Sequence, residues 1–124
     1  MKNKIAIVTG GAGFIGSHMV DLLISKKYKV HVIDNLSGGH KKNLSHHKKN
    51  SLLKFEKIDI CNLKKNHKFF KNADLVFHFA GIGDIVPSIE NPINYMKTNI
   101  QGTIRVLEAS RYNNIKKFVY SASA

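Results

Sequence analysis

The chain carries one cysteine, Cys61, so it can form no internal disulfide and offers no pair of thiols at metal-ligand spacing. That scarcity fits a reducing compartment, and the cytoplasm is the expected location. No apolar run approaches the ~18 residues that cross a bilayer, and Met1-Lys2-Asn3-Lys4 leads straight into an apolar stretch. Neither a membrane segment nor a targeting segment is expected. Acidic residues are few, 8 against 20 Lys and Arg, giving a formal net charge of +12. Such a charge raises the question of nucleic acid, because clustered basic residues form a footprint for phosphate backbones. Arginine, the usual reader of base edges, is scarce too, occurring as Arg105 and Arg111. The charge is nearly all lysine, spread over Lys41 to Lys49, Lys64 to Lys71 and scattered positions, with no recognition motif. Specific nucleic-acid binding is therefore not expected.

What remains is an ordinary globular composition, 43% hydrophobic and 23% charged, over 124 residues. That length corresponds to one domain. Its organising stretch is Ile5 to His18. A β-branched apolar run reads as a buried parallel strand, and the glycines permit a sharp turn into the helix that follows. Two spacings are met together, Gly11-x-Gly13-x-x-Gly16 and Gly10-x-x-Gly13-x-x-Gly16. A helix N-terminus has unpaired N–H groups and a partial positive charge, so a pyrophosphate can sit there without a basic side chain. An acid, Asp34, ends the next apolar run. Its carboxylate can accept from both hydroxyls of a ribose and repels a 2′-phosphate, which favours NAD over NADP.

The rest of the chain alternates strand and helix. A helix is predicted from about Phe14 to Ser25, with Ile15, Met19, Leu22 and Leu23 on one face, and a strand from Tyr28 to Ile33. Asn35 to His40 is a turn, and the Lys, His and Asn run after it is a solvated loop or frayed helix. His40, His46 and His47 raise a metal reading, but no Cys or Glu joins them at ligand spacing, and no metal site is expected. Leu52 to Ile58 reads as the third strand with Asp59 at its end, Leu63 to Phe70 as a helix with a narrow apolar face, and Leu75 to Phe79 as the fourth strand. His78 within that strand is expected to be packed or hydrogen-bonded rather than catalytic. Asn91 can cap the next helix and Pro92 suits its first turn, while Ile93, Met96, Ile100, Ile104 and Leu107 form its apolar stripe. Asn99 and Gly102 interrupt the stripe at a cost of about 0.5–1 kcal/mol each relative to Ala, so contacts that require them are expected. Lys117 to Ser121 is the fifth strand.

Alternation of this kind implies an α/β fold, a Rossmann-type doubly wound parallel sheet with right-handed crossovers and strand order 3-2-1-4-5. Thr9, Asp34, Asp59, Ala80 and Ser121 then share the C-terminal edge, where ligands bind in open sheets.

Thr9 to His18, Asp34-Asn35-Leu36-Ser37, Asp59-Ile60, His78-Phe79-Ala80-Gly81, Thr98 to Thr103 and Phe118 to Ala124 occur in an order that resembles the extended short-chain dehydrogenase/reductases acting as NAD-dependent nucleotide-sugar epimerases and dehydratases. The resemblance runs the whole length. It implies that Gly10, Gly13 and Gly16 form the phosphate turn, flanked by Phe14 and Ile15. It implies that Asp34 and Asn35 hold the adenosine ribose, with Ser37 and Gly38 as further cofactor contacts beside them. Asp59 and Ile60 bracket adenine, Phe79, Ala80, Gly81 and Asn99 lie towards the nicotinamide half, and Ser123 matches the catalytic Ser/Thr that hydrogen-bonds the reacting hydroxyl.

UDP-glucose 4-epimerases often carry a lysine after the fourth strand, where this chain has Gly83-Asp84. The segment Asp84 to Ile89 looks more like the loop of epimerases and decarboxylases acting on other UDP-sugars. The family's Tyr-x-x-x-Lys pair, later strands and substrate domain would fall beyond Ala124. Residues 1–124 therefore read as the N-terminal NAD-binding domain of such an enzyme, a fragment truncated after the fifth strand and inactive alone. A UDP-sugar is the expected substrate of the whole, and the family is often homodimeric. The alternatives are a nucleotide-sugar dehydratase or UDP-glucuronate decarboxylase of the same family and, in another class, a non-catalytic NAD-binding or interaction module.

Overall fold

The structure, a computed structural model, describes residues 2–122. Five parallel strands form one sheet: β1 (Ile5–Thr9), β2 (Lys29–Asp34), β3 (Leu53–Lys57), β4 (Leu75–His78) and β5 (Lys117–Tyr120), in the order β3-β2-β1-β4-β5. The register places Val8 beside Val32 and Phe77, an apolar row on one face at the centre of the sheet. Period-two alternation along β1 divides the core. Ile7 joins Ile33, Val76, Phe70 and Val106 on one face, while Ala6 and Val8 join Val20, Leu23, Val30 and Val32 on the other. Helix α1 (Phe14–Ser25) covers the second face and α4 (Thr103–Tyr112) the first, as a doubly wound sheet requires.

Between β4 and β5 the helix expected from Asn91 onward is a composite of α3 (Pro92–Met96), a π-helical stretch Lys97–Gly102 and then α4, and a short helix α2 (Ile85–Glu90) precedes it where a loop was expected. Asn91 caps α3 with its side chain, accepting from Asn94 N–H at 3.2 Å. The wide turn falls on the two residues that interrupt the apolar stripe, and each has its contact. The Asn99 side chain accepts from Ile82 N–H at 2.7 Å and donates to Ile82 C=O at 2.8 Å. Gly102 lies against Ile60, whose Cδ1 would stand 2.5 Å from a Cβ placed there.

Lys41–His47, expected as a solvated loop or frayed helix, is a 3₁₀ helix. One further segment differs from expectation. Leu63 to Phe70 is not a helix: 3₁₀ turns span Ile60–Asn62 and Lys68–Phe70, joined by irregular chain. Side chains bind the local backbone instead, Asp59 accepting from Cys61 N–H and His67 Nδ1 from Phe69 N–H, and such bonds compete with a helical ladder. Leu63, Phe69 and Phe70 are still buried, so the segment fills the core without a helix.

Candidate functional site

At the C-terminal edge of the sheet, β1 and β4 are neighbours although β2 and β3 intervene in sequence, and the crevice between their connections is the switch point of the fold. A cleft of about 270 Å³ opens there. Gly10 and Gly13 form its floor, Asp34, Asn35, Ser37 and Gly38 one wall, Asp59 and Ile60 the far end, and Phe79, Ala80 and Gly81 the opposite wall. Eleven of the fifteen cofactor positions inferred from the sequence thus border one space.

The glycine turn is built by close approach. Gly10 has φ 70°, and a Cβ on it would meet Ala80 N at 2.8 Å; a Cβ on Gly16 would come within 2.1 Å of Gly10 O. Gly16 therefore faces the loop rather than the cleft, letting α1 begin directly against it. No side chain caps α1 and no acid lies in its first turn, so no side chain of the described residues claims the N–H groups at its start. Phe14 and Ile15 occupy that first turn, 79% and 62% exposed, and neither borders the cleft.

Asp34 is buried, and its carboxylate organises the backbone around it. Oδ2 accepts from Ala12 N–H at 3.0 Å and Oδ1 from Leu36 N–H at 2.7 Å. A carboxylate has about four acceptor positions, so two remain for a ligand. Leu36 is held at φ 65°, a left-handed conformation uncommon for a bulky residue, as the chain turns from Asp34 into Ser37 and Gly38. Asn35 turns its Oδ1 to Ser37, accepting from both its N–H and its hydroxyl.

The wall Phe79–Ile82 is held from behind by a buried polar chain. Thr9 Oγ1 accepts from the N–H groups of Phe79 and Ala80, each at 3.1 Å, and lies 2.6 Å from His78 Nδ1. His78 Nε2 lies 2.9 Å from Thr103 Oγ1, whose hydroxyl donates to Asn99 C=O at 2.7 Å. With the Thr103 proton so committed, Nε2 must carry the imidazole hydrogen and Nδ1 accepts from Thr9. This network assigns the neutral Nε2–H tautomer, and burial pushes the His78 pKa down to about 4. Asn99 does not border the cleft; it fixes Ile82 from the π stretch.

Several residues border the cleft unannounced. Ile33 and Ile58 immediately precede the strand-end acids, a position from which they were inferable. Asn94 and Thr98 stand one turn apart on the helical segment that leads to Asn99, and Gly39 and Ile82 extend the two walls. Ser123 lies outside the described residues. Tyr112 and Lys116 have the spacing of a Tyr-x-x-x-Lys pair, but they sit at the end of α4 and ahead of β5, at the opposite edge of the sheet.

On the outer side of α1, Asp21 Oδ1 receives both His46 Nε2 at 2.7 Å and His47 Nε2 at 2.6 Å. Burial works against its charge, yet the hydrogen bonds from His47 and His46 hold the Asp21 carboxyl below the usual carboxylate range. The acid missing from the histidine run thus comes from another element, 25 residues away.

The fold is that of a Rossmann-type nucleotide-binding unit, with its cleft at the switch point. Residues 6–124 match the NAD dependent epimerase/dehydratase family, and the chain belongs to that family. It is 41% identical over 118 residues to a putative UDP-glucose 4-epimerase of Methanocaldococcus jannaschii, covering 94% of this chain and 37% of that protein. Among solved structures it is similar to the UDP-N-acetylglucosamine 4-epimerase of Methanobrevibacter ruminantium in complex with UDP-N-acetylmuramic acid, with TM-score 0.91 and 40% identity over all of this chain and 39% of that one. It is also similar to the Thermus thermophilus UDP-glucose 4-epimerase in complex with NAD, with TM-score 0.82 and 30% identity over 96% of this chain and 37% of that one. The chain therefore spans less than two fifths of each of these proteins. Among the described residues no helix is long and apolar enough to cross a membrane.

Proposed function

We propose that the chain binds NAD in the switch-point cleft and is the dinucleotide-binding portion of a UDP-sugar 4-epimerase. The observation that carries this reading is the pairing of an uncapped helix start with a buried strand-end carboxylate that still has free acceptor positions. The first suits a pyrophosphate and the second the two hydroxyls of a ribose, so the donor and acceptor set fits the group. Bound NAD supplies the chemistry of such enzymes by taking up a hydride from the sugar and returning it.

The chain's own residues bind and orient. The N–H groups of Phe14 and Ile15 face the phosphates, Asp34 with Asn35, Ser37 and Gly38 surrounds the adenosine ribose, and Asp59 with Ile60 brackets the base. The Thr9-His78-Thr103 chain, with Asn99, holds Phe79, Ala80 and Gly81 as a rigid wall towards the nicotinamide half. Ser123 is proposed to hydrogen-bond the reacting sugar hydroxyl. A second copy of the chain is the proposed cover for the apolar stripe on α3 and α4, where Ile93 is 82% and Ile104 58% exposed.

Calorimetric titration of the purified chain with NAD and with NADP tests the cofactor reading. NAD should bind more tightly, and equal or tighter binding of NADP would remove the role given to Asp34. Incubation with NAD and UDP-sugars, followed by chromatography, should yield no product from the chain alone, because among the described residues no proton-transfer pair stands at the cleft. Turnover lost on Ser123→Ala would show that the chain supplies its own base and overturn the reading of it as a binding portion.

A further inference from the structure

We propose that Asp21, His46 and His47 form a surface site for a borderline divalent transition-metal ion of the zinc class. Three ligand atoms, two imidazole nitrogens and one carboxylate oxygen, lie within 4.8 Å of one another. Zinc–ligand bonds of about 2.0–2.1 Å in tetrahedral geometry place ligand atoms roughly 3.3 Å apart. The nitrogens stand 2.6 and 2.7 Å from a shared oxygen, so a sub-ångström retreat of that oxygen makes room for an ion. Asp21 has the freedom to move, its side chain being 42% exposed, and His46 is 54% exposed, which leaves a route from solvent and a face for a water ligand. His47, at 13%, is the fixed member.

The donor set decides the class of ion. Imidazole nitrogens favour zinc, copper and nickel, whereas magnesium and calcium want oxygen ligands. Both rings present Nε2 to the same point, so binding requires that each ring carry its hydrogen on Nδ1 and leave Nε2 to the ion. The opposing effect is the lysine-rich surroundings, Lys42, Lys48 and Lys49 being close in sequence. Their repulsion is screened over about 10 Å at 0.1 M salt, while inner-sphere coordination acts at bonding distance and is not screened.

An ion here would do more than sit on the surface. Asp21 belongs to α1 and the histidines to the 3₁₀ helix Lys41–His47. The start of that segment already clasps the glycine turn, with His40 N–H and the Asn43 side chain both donating to Ala12 C=O, at 3.0 and 2.8 Å. Coordination would tie the two elements that bracket the turn, a cross-link made in the folded chain and not in the unfolded one.

The experiment titrates Zn²⁺ into metal-free chain by calorimetry, with Co²⁺ as a spectroscopic substitute. The expected result is one ion per chain, a rise in melting temperature with Zn²⁺, and visible absorption of Co²⁺ in a four-coordinate nitrogen and oxygen field. His46→Gln, His47→Gln and Asp21→Asn should each weaken binding more than about tenfold, whereas His40→Gln should leave it unchanged. His46 is exposed, so His46→Gln keeps its fold, and unchanged circular dichroism checks this. No saturable Zn²⁺ binding by the parent chain would overturn the proposal. So would unaltered affinity in the His46→Gln, His47→Gln double variant, which would mark the ion as adventitious on other histidines.

Discussion

Asp34 organises the local backbone and is the side chain proposed to hold a ligand as well. Its position at a strand end was legible, because an acid closing the second apolar run is where a ribose-binding carboxylate stands in this fold. Its grip on Ala12 and Leu36 was not, since nothing in sequence spacing shows that the glycine turn hangs on that carboxylate. Asp34→Ala should therefore abolish discrimination against NADP and also destabilise the chain, by about 1–3 kcal/mol for each buried N–H left unpaired. Binding isotherms and urea unfolding of the same variant read the two effects separately. Asp21 makes the complementary point, because its partners follow 25 and 26 residues later and only the fold brings them together.

His78 gives a pH dependence whose sign is fixed by burial. Its pKa is about 4 when folded, against an ordinary value of 6.5, so between these values the unfolded chain binds the proton that the folded chain refuses. Stability is full above about pH 6.5 and falls as pH drops towards 4, with no further loss from this group below that. His31, also lowered by burial, adds in the same direction, although its hydrogen bond to Phe69 C=O opposes the shift. For His78 alone the loss is on the order of 3 kcal/mol. Denaturant unfolding at a series of pH values should show the decline, and His78→Gln should flatten it. A decline of equal size in that variant would remove His78 as its source.

At the scale of elements, the strands and the extent of α1 were readable, but the buried face of α1 is shifted a little from the one expected, since Ile15 and Leu22 are exposed while Val20, Leu23 and Ile24 are buried. The crossover between β3 and β4 was not readable. Leu63, Phe69 and Phe70 do fill the core, but Asp59 and His67 bind their own backbone and the lysines between them add no apolar face. The π stretch was half legible: Asn99 and Gly102 announced that a helix was being interrupted for a contact, without saying that the ladder would widen. Gly102→Ala tests that contact. The gain in helix propensity is about 1 kcal/mol, whereas forcing a methyl against Ile60 costs about 1–3 kcal/mol, so the net effect should be destabilising. Combined with Ile60→Ala, which opens the space, the double variant should be less destabilised than the sum of the single ones, with a coupling of about 0.5–3 kcal/mol. Strict additivity in thermal or urea unfolding would mean that Ile60 does not dictate the glycine.

For the whole molecule, two surface properties oppose one another, and salt separates them. The net charge of +12 makes two copies repel. The stripe through Ile93, Met96, Ile100, Ile104 and Leu107 favours burial against a second copy, at about 25 cal/mol for each Å² removed from water. Apolar burial is nearly indifferent to moderate salt, whereas charge repulsion is screened over about 10 Å at 0.1 M and about 3 Å at 1 M. Self-association should therefore strengthen as salt rises from about 0.05 to 0.5 M, in the screening range just given. Binding to a polyanion runs the other way, because its driving force is counterion release and it collapses over the same range. Sedimentation of the chain across that salt series should show a dimer growing in, and Ile93→Lys with Ile104→Glu should abolish it. Electrophoretic retardation of two unrelated DNA duplexes should fade in parallel with no preference between them. If dimer formation instead weakens with salt, the copies are held by charge pairs and the apolar stripe is not their interface. A salt-resistant preference for one duplex would make the lysine surface a recognition surface after all.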